Sequence, residues 1–207
     1  MKKLLTVLYV VAAAVFCFAV FIDNDILRAI TKPLPLIILL FMIKPNSFYG
    51  KFIFAGFIFS LIGDIFLMKV IDEFIFGLAA FLTAHVFYTV AFVKRSKKND
   101  LISFTISYAT ATLLAYVFFT HLGNLFVPVI FYIYVIITMV WRAYMQRKYN
   151  KTAIFAFIGA VLFAISDTNI AFTKFIQDYE FSKIVTIVLY WSAQYLIAKS
   201  VSSFYKK

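Results

Sequence analysis

Long apolar runs, each ended by a small group of charged or turn-forming residues, occupy most of this chain and restrict what it can become. They fall at about Leu4–Ile22, Ile30–Ile43, Phe52–Met68, Phe74–Val93, Leu101–Thr120, Leu125–Tyr144, Ala153–Thr173 and Ile184–Phe204. At a rise of about 1.5 Å per residue, most of these cross a hydrocarbon core of roughly 30 Å as single helices. The second run is shorter. Pro33 and Pro35 fall in its first turn, where a missing N–H costs little, so this helix is expected to begin near Thr31. With 64% hydrophobic and 14% charged residues, the chain cannot cover itself with a water-facing surface. The expectation is an all-α membrane protein, a bundle of about eight transmembrane helices in which every backbone polar group is paired within its own helix. Residues 1–207 form a single polytopic domain in this reading.

In a soluble protein a net charge of +11 would suggest nucleic acid, but here the basic residues sit in the gaps between apolar runs and act as a topology signal. If the N-terminus is cytoplasmic, the inner helix ends collect Lys2, Lys3, Lys44, Lys51, Lys94, Arg95, Lys97, Lys98, Arg142, Arg147, Lys148, Lys151, Lys199, Lys206 and Lys207. The outer ends then hold only Arg28, Lys32, Lys69, Lys174 and Lys183. This asymmetry places the protein in the inner (cytoplasmic) membrane with both termini on the cytoplasmic side. Asp23, Asp25, Asp72, Glu73, Asp178 and Glu180 fall outside, and Asp100 inside. The first run contains Phe16, Phe18 and Phe21, which do not suit a small-residue cleavage site, so an uncleaved first span is expected. The single Cys17 rules out a disulfide within the chain.

Seven of the nine acidic residues lie in loops or at helix ends, which leaves Asp64 and Asp167 inside apolar spans. An ionised carboxylate there costs at least about 2.5–3.5 kcal/mol, so such residues face a bundle interior and normally serve function. The structural alternative is a carboxylate paired with Lys32 or accepting interhelical hydrogen bonds. Asp64 precedes Lys69 by five residues and Asp167 precedes Lys174 by seven. Both carboxylates then sit roughly 7–11 Å below the outer helix ends. Gly56, Ser60 and Asp64 share one lean face, as do Gly159, Ser166 and Asp167, and small residues at such spacing let helices approach closely. His85 and Tyr88 share a face of the fourth span, and Tyr190 and Gln194 one of the eighth, both expected deeper than the acids. A buried His85 that merely bonds a neighbour, and a Lys32 that merely snorkels to the interface, are the plainer alternatives. Phe54, Gly56 and Asp64 recur 103 residues later as Phe157, Gly159 and Asp167, an echo that would make the bundle two parallel four-helix repeats. Chance similarity between Phe-rich helices explains the echo equally well.

With only His85 and His121 available, no metal site is expected. No Gly-rich phosphate loop, nucleophile elbow or nucleic-acid motif occurs, so neither a cofactor nor a nucleic-acid partner is expected. The two carboxylates remain as the candidate catalytic pair.

The same residues carry a family resemblance. Thr31-Lys32-Pro33-Leu34, Gly63-Asp64, Ala84-His85 with Tyr88, Gly159-Ala160 with Ser166-Asp167 and Ala171, and Tyr190 with Ala193-Gln194 follow the order and spacing of the YhhN-like lysoplasmalogenase family of multi-spanning membrane proteins. The resemblance implies a hydrolase that cleaves the vinyl ether bond of lysoplasmalogens, lysophospholipids taken from the bilayer, to a fatty aldehyde and a glycerophospho-headgroup. It implies that Asp64 and Asp167 are the catalytic aspartates. Lys32, His85, Tyr88, Ser166, Tyr190 and Gln194 are the candidate substrate-binding residues, with the headgroup near Lys32 and the chain running deeper past His85, Tyr88 and Gln194. The alternative is a proton- or cation-coupled small-molecule transporter that uses the same aspartates.

Overall fold

The structure, a computed structural model, describes residues 2–201. Met1, Lys206, Lys207 and the distal end of the expected eighth span at Phe204 lie outside the described residues, as does the side chain of Lys2. The helices run in the order α1 (Lys2–Phe21), α2 (Asp25–Thr31), α3 (Leu34–Met42), α4 (Phe48–Phe66), α5 (Phe74–Arg95), α6 (Leu101–Phe118), α7 (Phe126–Gln146), α8 (Ala153–Phe175) and α9 (Ser182–Lys199). No strand occurs among the described residues. Helix starts are set by side-chain oxygens that accept from otherwise unpaired N–H groups: Asn24 from Leu27, Ser47 from Gly50 and Asp100 from Ser103.

Among the described residues, α1, α4, α5, α6, α7 and α8 are the six helices long and apolar enough to cross a membrane. The expected second span is instead two short helices. Pro33 has no N–H to continue the ladder beyond Thr31, and α3 begins at Leu34 with Pro35 in its first turn, so the helix starts later than Thr31. The expected eighth span is α9. It is less apolar than the other long helices, and its inward face buries Tyr190, Trp191, Gln194 and Ile197 while Val185 and Val188 stay exposed. A helix face packed on protein can carry polar side chains that a lipid-facing one cannot.

α4 packs most extensively on α5, and α8 on α9. α1 runs antiparallel to α9, with Tyr9 beside Tyr195 and Phe16 edge-on to Trp191, and Tyr9 Oη donates to the Trp191 carbonyl at 2.6 Å. Both ends of the described chain therefore lie at the same end of the bundle. That basic end is tied together around Ser200: Tyr49 Oη lies 2.5 Å from its hydroxyl, and its carbonyl accepts from Arg95 at 2.8 Å and Thr152 at 3.2 Å. The Arg95 guanidinium also stacks 3.1 Å from the Tyr49 ring centroid. At the opposite end Asp25 bridges Arg28 at 2.8 Å and Lys69 at 2.6 Å, joining α2 to the α4–α5 turn. The hydrogen bond from Lys69 holds the Asp25 carboxyl below the usual carboxylate range.

At Gly159 the backbones of α8 and α9 approach closely. A methyl group built on it would lie 2.7 Å from the Ala193 carbonyl oxygen and 3.2 Å from the Ile197 nitrogen, both on α9. Backbone atoms cannot rotate away as a side chain can, so Gly159→Ala is expected to lower stability by about 1–3 kcal/mol. Thermal unfolding of the detergent-solubilised protein measures it, and an unchanged midpoint would show that α8 and α9 are not packed this closely.

Candidate active site

Asp64 stands near the end of α4, only 3% exposed, and accepts a hydrogen bond from Tyr190 Oη of α9 at 2.9 Å. It also lies within electrostatic reach of the Lys32 ammonium and of Asp167. Lys32 occupies the break between α2 and α3, where its Nζ donates to the Leu67 carbonyl at 3.1 Å. This carbonyl is free because α4 ends at Phe66. The proline-broken hinge thus directs the lysine inward, across the α4 terminus toward Asp64.

Asp167 enters from α8, its side chain 10% exposed. Tyr132 of α7 donates to its Oδ2, and His85 Nε2 of α5 lies 3.7 Å from the same oxygen, too far for a hydrogen bond. His85 is fully buried, and neither ring nitrogen has a hydrogen-bond partner among the described residues. Its ring is held by shape instead, edge-on to Phe163 at 4.6 Å and to Tyr132 at 5.2 Å between centroids. Phe163 is the hub of this packing, since Tyr190 also meets it edge-on at 5.2 Å.

One turn below Asp64 on α4, Ser60 Oγ lies 3.2 Å from Tyr88 Oη, which donates to Gln194 Oε1 at 3.0 Å. Tyr88 fits because Gly56 lacks a side chain: a Cβ there would stand 2.1 Å from the Tyr88 ring. Ser60, Tyr88 and Gln194 are fully buried. Ser166 stands apart from both carboxylates, its hydroxyl donating to the Thr186 carbonyl at 3.0 Å, so it clips α8 to α9. Asn169 makes a second clip, donating to Thr186 Oγ1 at 2.8 Å.

The structure therefore brings Lys32, Asp64, Tyr190, Asp167 and His85 together, sets Tyr88 and Gln194 beneath them, and turns Ser166 elsewhere. Tyr132 is the residue that sequence reasoning missed. It is one of 13 tyrosines and had no distinguishing neighbour, although its place six residues into α7 separates it from the interfacial tyrosines at helix ends.

Two cavities border this group. A vestibule of about 440 Å³ at the acid-bearing end is lined by Lys32, Lys174, Lys183 and Asp72 among others. A small, mainly apolar cavity of about 60 Å³ has Asp167 and Tyr132 in its wall. The two share Leu67, Phe74 and Ile170. Among the described residues, no group of three or more His, Cys, Asp or Glu is arranged to hold a metal ion.

A multi-helix bundle of this apolarity, with Asp64 buried inside it, defines a multi-pass membrane protein. The chain belongs to the YhhN family, whose pattern matches residues 27–201. It is 30% identical over 189 residues to human lysoplasmalogenase TMEM86B, covering 88% of this chain and 80% of that protein. Lysoplasmalogenase TMEM86B of Rattus norvegicus is 28% identical over 165 residues, 80% of this chain and 67% of that protein. The lysoplasmalogenase of Mycobacterium tuberculosis is 33% identical over 129 residues, 58% of this chain and 46% of that protein. No solved structure matches.

Removing the Tyr88 hydroxyl leaves Gln194 Oε1 without its donor in a fully buried setting. Tyr88→Phe is expected to cost about 1–3 kcal/mol of stability. Thermal unfolding in detergent reads it, and a melting midpoint equal to that of the unaltered protein would show that this network is not formed.

Proposed function

We propose that the protein hydrolyses the vinyl ether bond of lysoplasmalogens, using Asp64 and Asp167 as an acid–base pair. The observation that carries this reading is that buried Asp64 and largely buried Asp167 lie within electrostatic reach of each other, each with a tyrosine hydroxyl donor, in a chain similar to proteins named for this activity. Cleavage begins with a proton delivered to the β-carbon of the vinyl ether, which leaves an oxocarbenium centre on the carbon bonded to oxygen. Water adds there and gives up a proton to the second carboxylate. The hemiacetal then collapses to a fatty aldehyde and the free hydroxyl of a glycerophospho-ethanolamine or glycerophospho-choline, Asp64 giving its proton to the leaving glycerol oxygen while Asp167 takes the hemiacetal hydroxyl proton. One water is consumed, and the carboxyl pair returns to its starting state.

The two surroundings differ in a way that suits this division of labour. Asp64 has the Lys32 ammonium within reach, which favours the ionised role of steadying positive charge and activating water. Asp167 borders the apolar cavity, where the alkenyl chain meets it as general acid. His85, 3.7 Å away with no competing hydrogen bond among the described residues, is near enough to close onto the Asp167 carboxylate as a hydrogen-bond donor during the cycle. In the same reading Lys32 steadies the phosphate at the vestibule as a point charge. A transporter would need access to the carboxylates from both ends. The polar vestibule beside Lys32 lies at the acid-bearing end, which favours the hydrolase.

Asp64→Asn and Asp167→Asn preserve shape and remove the proton chemistry, so each is expected to lower turnover by about a hundredfold or more with near-normal folding. Release of aldehyde from purified lysoplasmenyl-ethanolamine measures it. Activity retained to within about tenfold would remove that residue from the acid–base pair.

We also place the basic end of the bundle in the cytoplasm, following the excess of Lys and Arg there. A cysteine at Glu180 is expected to react with an impermeant reagent on intact cells, and one at Lys151 only after permeabilisation. The reverse pattern would invert the topology.

A further inference from the structure

The deeper residues beneath the carboxylates offer no room for a hydrocarbon chain. His85, Tyr88 and Gln194 are fully buried, and none of them lines the vestibule, the Asp167 cavity or the third cavity of the structure. That third cavity is an apolar groove of about 530 Å³ on the outward side of α8. It shares Leu114, Ile137, Ala164 and Thr168 with the cavity that holds Asp167. Its wall continues along α8 to Val161, six residues before Asp167 and therefore about 9 Å deeper. The small Asp167 cavity thus lies between two larger spaces and shares wall residues with each. One carries five basic side chains with Asp25 and Asp72 among apolar ones, and the other is mainly apolar.

We infer that the groove between α6–α7 and α8–α9 is the seat of the single hydrocarbon chain of the lysolipid, reached sideways from the bilayer, with Asp167 at its junction to the headgroup vestibule. The inference rests on the proposed activity for its choice of lipid, and on continuity and charge for its placement. A one-chain zwitterionic amphiphile has a phosphate and an ammonium at one end and only CH₂ groups beyond the reacting bond. The three adjoining spaces present the same order: Arg28, Lys32, Lys69, Lys174 and Lys183 with Asp25 and Asp72, then Asp167, then a mainly apolar wall. α6 forms one rim of the groove and is the helix with the least burial among the six apolar spans, so it is the rim most easily displaced as a chain slides in from lipid.

Two experiments test this. In the first, a saturated one-chain ether analogue with a photoreactive group near the chain end is crosslinked to the unaltered protein, and the adducts are mapped. Adducts on Val161, Ile165 or Leu189 that unlabelled lysolipid displaces are the expected result. Labels spread over all lipid-facing helices, or insensitive to competitor, would overturn the placement, and this holds whether or not the protein proves to be a hydrolase. In the second, Ala164→Trp fills the junction, and Ala109→Trp adds the same bulk to the exposed face of α6 away from the groove. Ala164→Trp is expected to lower kcat/KM for long-chain lysoplasmalogen about tenfold more than for a short-chain one, with Ala109→Trp leaving the ratio unchanged. Equal losses at both chain lengths, or none, would count against the groove. Failure of the unaltered protein to release aldehyde from any chain length would instead overturn the proposed activity while leaving the crosslinking result to decide the groove.

Discussion

Two carboxylates inside a membrane-spanning bundle must be given partners, and much of this fold is arranged to supply them. Each buried acid costs several kcal/mol unless protein groups replace the lost water. Asp64 recovers this through Tyr190 and the nearby Lys32, and Asp167 through Tyr132. These partners come from α9, from the α2–α3 break and from α7, so satisfying the acids fastens several separate elements to one point. The same requirement explains why the Tyr190 and Gln194 face of α9 is turned inward, and it is met in part from the α2–α3 break, where Lys32 reaches the α4 terminus.

Close approach is the second condition. Gly159 lets α9 lie against α8 with no side chain between, and Gly56 makes the space that the Tyr88 ring fills. Around them aromatic rings meet edge to face on Phe163, which fixes His85 without a hydrogen bond. A ring nitrogen left unpaired in a buried site carries a cost, and its persistence beside Asp167 is the kind of local conflict expected where chemistry is done.

Helical class, the approximate spans and the two acids could be read from the sequence because they follow from one-dimensional quantities: run length, charge spacing and the rarity of carboxylates in apolar stretches. The glycine faces were readable for the same reason, since Gly56 and Gly159 fall at helical spacing from the acids. The division of the second span was not, because two prolines were compatible with a helix beginning beside them. Tyr132 was hidden among similar residues, and its role depends on the rotation of α7, which no local pattern sets. Ser166 shared a helix with Asp167 as its immediate neighbour, yet adjacent helical positions point about 100° apart, and its hydroxyl meets α9 instead. Where the helices leave gaps was likewise unreadable, because the tightly filled side at Tyr88 and the open side at Ala164 look alike as sequence.

The claim on which this account turns is that the protein itself protonates carbon. Purified protein acting on lysoplasmenyl-ethanolamine in D₂O, with the aldehyde trapped at once as a hydrazone, tests it directly. The account predicts one deuterium on the carbon next to the former carbonyl, and a slower reaction than in H₂O. An aldehyde without that deuterium, or no aldehyde from a folded sample, would contradict it.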